Sequence, residues 1–121
     1  MKLTIAHLLV SIREILSDSY SDAYRWSDVT LIRFIYEGIV RITNIRPESK
    51  YVDFKLTEIN IPIVNGSASE EKNKPFPIDD RWSSAIVHYA CYRAFQLDES
   101  DTMNSSRANE HLNFFNTWSQ L

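Results

Sequence analysis

Residues 79–97 read DDRWSSAIVHYACYRAFQL and predict a helix, over 80–97, that is apolar or aromatic on nearly every side. Asp79 is a suitable N-cap, because its carboxylate can accept a hydrogen bond from a free backbone N–H of the first turn. The two adjacent carboxylates also suit the positive end of the helix dipole. With so few polar positions, no face of this helix clearly prefers water.

A second C-terminal helix is predicted over 103–118, after the acidic residues 98–101, and either Asp101 or Thr102 is its cap. One face of this helix holds Ala108, His111, Leu112, Phe115 and Trp118. A protein of this size seldom has enough interior to bury two such helices. We therefore expect another chain to cover part of their apolar surface.

Two further helices are predicted in the first half of the chain, over residues 5–16 and 29–44. The buried stripe of the first comprises Ile5, Leu8, Leu9, Ile12, Ile15 and Leu16. The buried face of the second comprises Leu31, Ile32, Ile35, Tyr36, Ile39, Val40 and Thr43. Gly38 lies in the middle of the second helix, where it predicts the close approach of another helix.

The caps of these two helices are also readable from the sequence. Thr4 is the expected N-cap of the first helix, and Ser27 or Asp28 that of the second. Trp26 stands where a hydrophobic staple residue would pack back on the first turns. Pro47 prevents the second helix from continuing.

Residues 51–64 change to an alternating pattern that predicts a β-hairpin with its turn at Thr57-Glu58. Such a turn would bring six apolar side chains to one face: Val52, Phe54, Leu56, Ile59, Ile61 and Ile63. Residues 65–76 are mostly small and polar, and they predict a mobile loop. The predicted fold is mainly α, a four-helix bundle with a β-hairpin or extended loop inserted between helices two and three.

Composition limits the possible functions. The chain of 121 residues is expected to form one domain, 1–121, with a net charge of −3 and a single cysteine, Cys91. The acidic balance argues against a surface that wraps nucleic acid, because phosphate binding requires clustered Lys and Arg. A lone cysteine predicts no internal disulfide and folding in a reducing cytoplasm. No stretch is expected to act as a signal peptide or to span a membrane.

Catalytic, cofactor and metal sites are not predicted. His88 and Cys91 could meet on one helix face, but a nucleophilic pair also needs a cleft and an oxyanion hole. Residues 98–109 resemble an EF-hand loop only in part, because Met103 replaces the required glycine and Asn109 the required glutamate. The connection between the first two helices is also too long for a DNA-binding helix-turn-helix.

The aromatic residues of the two C-terminal helices indicate an interaction surface. Tyr89, Phe115 and Trp118 fit the core, whereas Tyr92, Phe114 and Leu121 fit the core and a subunit contact equally well. The candidate contact residues for a neighbouring subunit or another partner are Tyr92, Phe114, Trp118 and Leu121. The six apolar hairpin residues form a second candidate contact surface.

Two ordered groups of residues resemble the head-to-tail adaptor (connector) proteins of tailed bacteriophages. The first runs from Arg25-Trp26-Ser27-Asp28 through Leu31 and Ile35 to Ile45-Arg46-Pro47-Glu48. The second comprises Asp80-Arg81-Trp82, Ala85, His88, Tyr89, Tyr92, Arg93-Ala94-Phe95, Asp98, Asp101, Ala108 and Phe115. The resemblance covers nearly the whole chain.

The resemblance implies a structural virion protein without enzymatic activity or cofactor. It implies a ring, usually dodecameric, that docks below the portal protein, lengthens the DNA channel and receives the next tail or neck component, a nozzle or stopper protein. The C-terminal segment, here residues 103–121, would reach the portal. DNA would pass through the lumen without sequence-specific binding, and the neck would assemble in the host cytoplasm.

Two other interpretations remain open. The first is a small helical regulatory or interaction domain that binds one protein partner as a monomer or dimer. The second is a small enzyme that uses His88 and Cys91.

Overall fold

The computed structural model describes residues 3–16, 26–52, 55–56, 72–97 and 102–119, and within them it confirms a mainly helical fold. The helices are α1 (Ile5–Leu16), α2 (Asp28–Ile45), α3 (Ser83–Leu97) and α4 (Thr102–Ser119). Short 3-10 helices cover Pro47–Lys50 and Asp80–Trp82. The first turn of the helix predicted over 80–97 is therefore a 3-10 turn that leads directly into α3.

Helix α3 lies between the other three helices and packs against each of them. Asp79 caps the preceding 3-10 turn, and its side chain accepts a hydrogen bond from the backbone N–H of Arg81 at 2.9 Å. The buried residues of α3 are Ala85, Ile86, Val87, Tyr89, Ala90, Cys91, Ala94 and Phe95. The central position of α3 explains its unusual sequence, and much of the surface that we expected another chain to cover is buried within this one.

Helices α1 and α2 each contribute one apolar face to the same core. Most of the residues predicted for these faces are buried, but Ile15 is 41% exposed and does not belong to the stripe of α1. Val40 of α2 is only partly buried. Both residues lie at the margin of their helix face, where the i, i+3, i+4 pattern alone does not show how far the neighbouring helix extends.

Gly38 provides the close contact between α2 and α3 that the sequence predicts. A Cβ atom at this position would lie 3.0 Å from Cδ1 of Tyr89 and 3.2 Å from Cδ1 of Ile86. Both distances are shorter than ordinary carbon contacts. The missing side chain therefore sets how near the two helices can come.

Trp26 anchors the start of α2 on the end of α3. Its indole N–H donates to the carbonyl of Ala94 at 3.1 Å, and its ring meets Phe95 edge-on. The Ala94 carbonyl is one of the last four of α3, which have no acceptor role inside the helix. Ser27 is the N-cap of α2, and its hydroxyl accepts from the backbone N–H of Thr30. Trp26 thus contacts the end of α3, and its predicted packing on the first turns of α2 stays a prediction.

Residues 74–78 are docked on the N-terminal end of the chain, which corrects part of the predicted mobile loop over 65–76. Ile5 N–H donates to the Lys74 carbonyl at 3.1 Å, and Phe76 N–H donates to the Leu3 carbonyl at 2.8 Å. The side chains of Phe76 and Ile78 are fully buried. Residues 65–71 lie outside the described part of the chain, so the prediction for them stays open.

The predicted β-hairpin over 51–64 is not supported. Two-residue strands, β1 (Tyr51–Val52) and β2 (Lys55–Leu56), pair antiparallel, with Tyr51 opposite Leu56. Tyr51 and Val52 therefore pair with Leu56 and Lys55, which lie before the predicted turn at 57–58, and not with residues beyond that turn. The predicted turn at 57–58 and the predicted second strand, which would carry Ile59, Ile61 and Ile63, lie outside the described residues, as does Phe54.

A partly buried cluster of charges joins α1, α2 and the segment before α3. Arg13 of α1 is 5% exposed, and its guanidinium bonds Asp28, the first residue of α2, at 2.5 Å. Lys72 forms a second ion pair with the other carboxylate oxygen of Asp28. Burial by itself raises the pKa of Asp28, but hydrogen bonds and charge from Lys72 and Arg13 outweigh it and lower the pKa. The cluster therefore holds Asp28 ionised at neutral pH.

Candidate interaction surface

Helix α4 packs against α3 and leaves two large aromatic side chains in solvent. Ala108 and Phe115 are buried against α3. Phe114 and Trp118, which are one helical turn apart, are 43% and 45% exposed. The placement of Trp118 on the buried face of α4 was therefore wrong. Trp118 lies in the last turn of α4, beside the first residues of α3, where the neighbouring helix no longer covers it.

The other predicted contact residues are less accessible or lie outside the described chain. Tyr92 is half-buried, and its ring meets Tyr89 edge-on. Leu121 lies outside the described residues, as do the side chains of Val52 and Leu56. The structure therefore brings only Phe114 and Trp118 together as one exposed aromatic pair.

A histidine pair joins α3 to α4 directly beneath Phe114. The Nδ1 atoms of His88 and His111 lie 2.9 Å apart, and the two rings are stacked. Phe114 stacks on His88, and Phe95 stacks on His111. Burial lowers the pKa of both histidines, and the neighbouring His88 lowers that of His111 further. This contact was missed in the sequence because His88 and His111 lie on different helices.

Cys91 does not form a reactive pair with His88. The thiol is fully buried in the core, and burial raises its pKa to about 12. A nucleophilic cysteine needs a lowered pKa and access to substrate. Neither condition is met at Cys91, and the imidazole of His88 bonds His111 instead.

A cavity of about 370 Å³ opens beside Trp118, at the end of the molecule where α2 ends and α3 begins. It is lined by Arg46, Glu48, Arg81, Trp82 and Trp118. The sequence resemblance included four of these residues but assigned them no role. The sequence feature that could have pointed to the cavity is an arginine beside each helix end: Arg46 follows the end of α2, and Arg81 precedes the start of α3.

The walls of this cavity are fixed by contacts with the helix ends. Arg46 Nε donates to the Ser119 carbonyl at 2.8 Å, which joins the end of α2 to the end of α4. Arg46 also approaches Glu48 at 3.5 Å. The guanidinium of Arg81 lies over the Trp82 ring, 4.6 Å from its centroid. The cavity thus combines two guanidinium groups, one carboxylate and two indole rings.

Neither a metal site nor a membrane-spanning helix is present in the described part of the chain. The described residues contain no group of three or more His, Cys, Asp or Glu side chains that could hold a metal ion. Thr102, Met103 and Asn109, which fall in the possible EF-hand loop, belong to α4. No helix in the described ranges is both long and apolar enough to cross a bilayer.

Comparison with known proteins identifies no relative. No protein-family model, curated protein or solved structure matches this chain.

Proposed function

We propose that this protein is a structural component of a tailed-phage virion. In this proposal it is the head-to-tail adaptor that forms a ring below the portal protein, extends the DNA channel and provides the docking platform for a nozzle or stopper protein. The observation that carries the proposal is the exposure of Phe114 and Trp118 on the same side of α4. Large aromatic side chains are enriched in protein interfaces, and a contact with another protein would bury this pair.

A ring requires a particular kind of interface. Each subunit must present two different surfaces, so that one face of a subunit meets a different face of the next. Phe114 and Glu110 line one surface on α4, and Arg46 and Arg81 line the cavity at its end. These two surfaces of one molecule differ chemically. In a twelvefold ring, many weak contacts of this kind would add through multivalency.

The remaining parts of the proposal concern the portal, the tail and the DNA. Residues 103–121 would contact the portal. The segment between α2 and α3 would face a neighbouring subunit or the tail. The net charge of −3 would keep DNA from adhering to the channel wall, without sequence-specific binding. The role is geometric, and it requires no enzymatic step, cofactor or metal.

Electron microscopy of the chain mixed with the portal ring of the same phage tests the proposal. We expect a second ring of density below the portal. The double variant Phe114→Ser/Trp118→Ser should lose this density while keeping the helical content of the native chain. Val10→Ser, which removes another exposed apolar side chain from α1, is the matched control and should still bind.

Two outcomes would reject the adaptor proposal. A chain that stays monomeric and does not bind the portal ring would favour the alternative, a small helical interaction or regulatory domain without enzymatic activity. Binding of a single copy per portal ring would also contradict it, because an adaptor must occupy every portal subunit.

A further inference from the structure

The cavity beside Trp118 has more hydrogen-bond donors than acceptors. Arg81 forms no ion pair with any residue that the structure describes, and Arg46 uses only part of its guanidinium on the Ser119 carbonyl and Glu48. A guanidinium has five N–H donors, whereas Glu48 is the only acidic side chain among the described residues that line the cavity. A ligand that brings acceptor oxygens would balance the site.

Trp82 adds a second, independent sign of an incomplete site. Its side chain lines the cavity, its residue is only 6% exposed, and its indole Nε1 has no acceptor among the described residues. A buried N–H without a partner costs roughly 1–3 kcal/mol. Such a group beside two guanidiniums favours an occupant with a carboxylate, which pairs with Arg through two parallel hydrogen bonds.

The densest run of carboxylates in the sequence, three in four residues, connects α3 to α4. The two helices are antiparallel, because Trp82 and Trp118 line one cavity whereas Phe95 stacks on His111 farther along. Helix α3 has 15 residues, so the cavity and the end of the hairpin are about 22 Å apart. The residues that connect the two helices there are Asp98-Glu99-Ser100-Asp101.

We propose that the cavity lined by Arg46, Arg81, Trp82 and Trp118 receives the acidic connection, residues 98–101, of a second copy of this chain. The separation of about 22 Å along α3 prevents a copy from filling its own cavity. The contact joins two different ends of the molecule, so it is heterologous and generates a ring or a filament. The inference deepens the proposed function and rests on its self-association.

A charge exchange tests the contact. Arg81→Glu should weaken self-association, measured by sedimentation, at least about tenfold, because it sets like charges against each other. Glu99→Lys should weaken it similarly, and the chain that carries both substitutions should recover. Arg33→Glu, at an exposed position on α2, is the matched control and should leave association unchanged. Thermal melts of each variant show whether it remains folded, and Arg81→Gln replaces Arg81→Glu if that variant unfolds.

Cysteine crosslinking provides an independent geometric test. A chain with Arg81→Cys and Glu99→Cys should, on oxidation, form a ladder of dimers, trimers and larger species. A chain with only one of the two substitutions should form dimers at most, because the native Cys91 is buried and unreactive. If the double variant also stops at dimers, or if the charge exchange does not restore association, the proposed occupant is wrong.

The portal experiment separates this inference from the proposed function. Ring density below the portal that is unaffected by Arg81→Glu would overturn the inference and leave the adaptor role intact. Charge exchange and a crosslink ladder without portal binding would support the inference and overturn the adaptor role. Loss of portal binding in Arg81→Glu that Glu99→Lys does not rescue would show that the cavity binds the portal instead, which also overturns the inference.

Discussion

His88 of α3 and His111 of α4 share a hydrogen bond between their Nδ1 atoms, 2.9 Å apart. One ring must donate and the other accept, so at least one imidazole is neutral in the folded protein. Burial lowers the pKa of both histidines from the ordinary value of 6.5, the His88 charge lowers that of His111 further, and only Glu110 acts in the opposite direction on His111. The stability of the contact between α3 and α4 should therefore depend on pH.

The first prediction follows from the sign of these shifts. Above pH 6.5 both histidines are neutral in the folded and unfolded states, and their contribution to stability is complete. As the pH falls below 6.5, the unfolded chain takes up protons first, so the free energy of unfolding should decrease. Urea unfolding from about pH 8 to about pH 5 measures this loss. His88→Gln/His111→Gln should show a flatter pH dependence, whereas His7→Gln should keep the native one.

The second prediction concerns the carboxylate of Asp28. Asp28→Asn removes the carboxylate charge that pairs with the buried Arg13 and with Lys72. Because Asp28 is only partly buried, we expect a loss of about 1–3 kcal/mol, between the values for exposed and fully buried ion pairs. Urea unfolding at neutral pH measures the difference. Asp80→Asn, an exposed carboxylate in the turn before α3, should change stability by less than about 0.5 kcal/mol. Equal effects for the two variants would show that the ion pairs contribute nothing.

The third prediction tests the close approach at Gly38. Gly38→Ala would add about 1 kcal/mol of helix propensity, but its Cβ would lie 3.0 Å from the buried ring of Tyr89. We expect net destabilisation of about 1–3 kcal/mol, because overpacking a tight core outweighs propensity. In a double-mutant cycle, Tyr89→Leu should make Gly38→Ala less harmful. A more stable Gly38→Ala variant would show that α2 and α3 can separate at little cost.

The fourth prediction isolates one buried hydrogen bond. Trp26→Phe keeps an aromatic ring but removes the indole N–H, which leaves the Ala94 carbonyl without this donor. The free energy of unfolding should fall by about 1–3 kcal/mol. Trp118→Phe is the same substitution at an exposed position and should be nearly neutral for stability. The prediction is wrong if the two variants have the same free energy of unfolding.

The fifth prediction concerns the thiol of Cys91. Burial and a pKa of about 12 should make it unreactive toward a thiol reagent in the folded protein at neutral pH. Labelling should begin only as urea unfolds the chain and should follow the loss of helix. Rapid labelling of the native protein would revive the hypothesis of an enzyme that uses this cysteine.

The helices could be predicted because the apolar stripe and the cap of each helix are formed by residues close together in sequence. The stripe in α1, the Ser27 cap and the Asp79 cap are local patterns, and the structure has them where the sequence places them. Gly38 is informative for the same reason, because a glycine within a helical pattern indicates a close neighbour.

The errors arose where the partner is distant in sequence. The burial of Phe76 depends on backbone pairing with Leu3, which no local pattern shows. Alternation over 51–64 could not distinguish a long hairpin from the short pairing of Tyr51 and Val52 with Leu56 and Lys55. The histidine pair and the charged cavity likewise need residues from separate helices, so only the assembled fold brings them together.

The backbone pairing of residues 3–5 with residues 74–76 also has a consequence during synthesis on the ribosome. Helix α1 emerges first, but its main-chain partners and the central helix that covers it are made only after more than half of the chain has been translated. Contacts so far apart in sequence form late and slow the folding rate. The apolar stripe of α1 must therefore remain uncovered in the nascent chain, where a chaperone would find it.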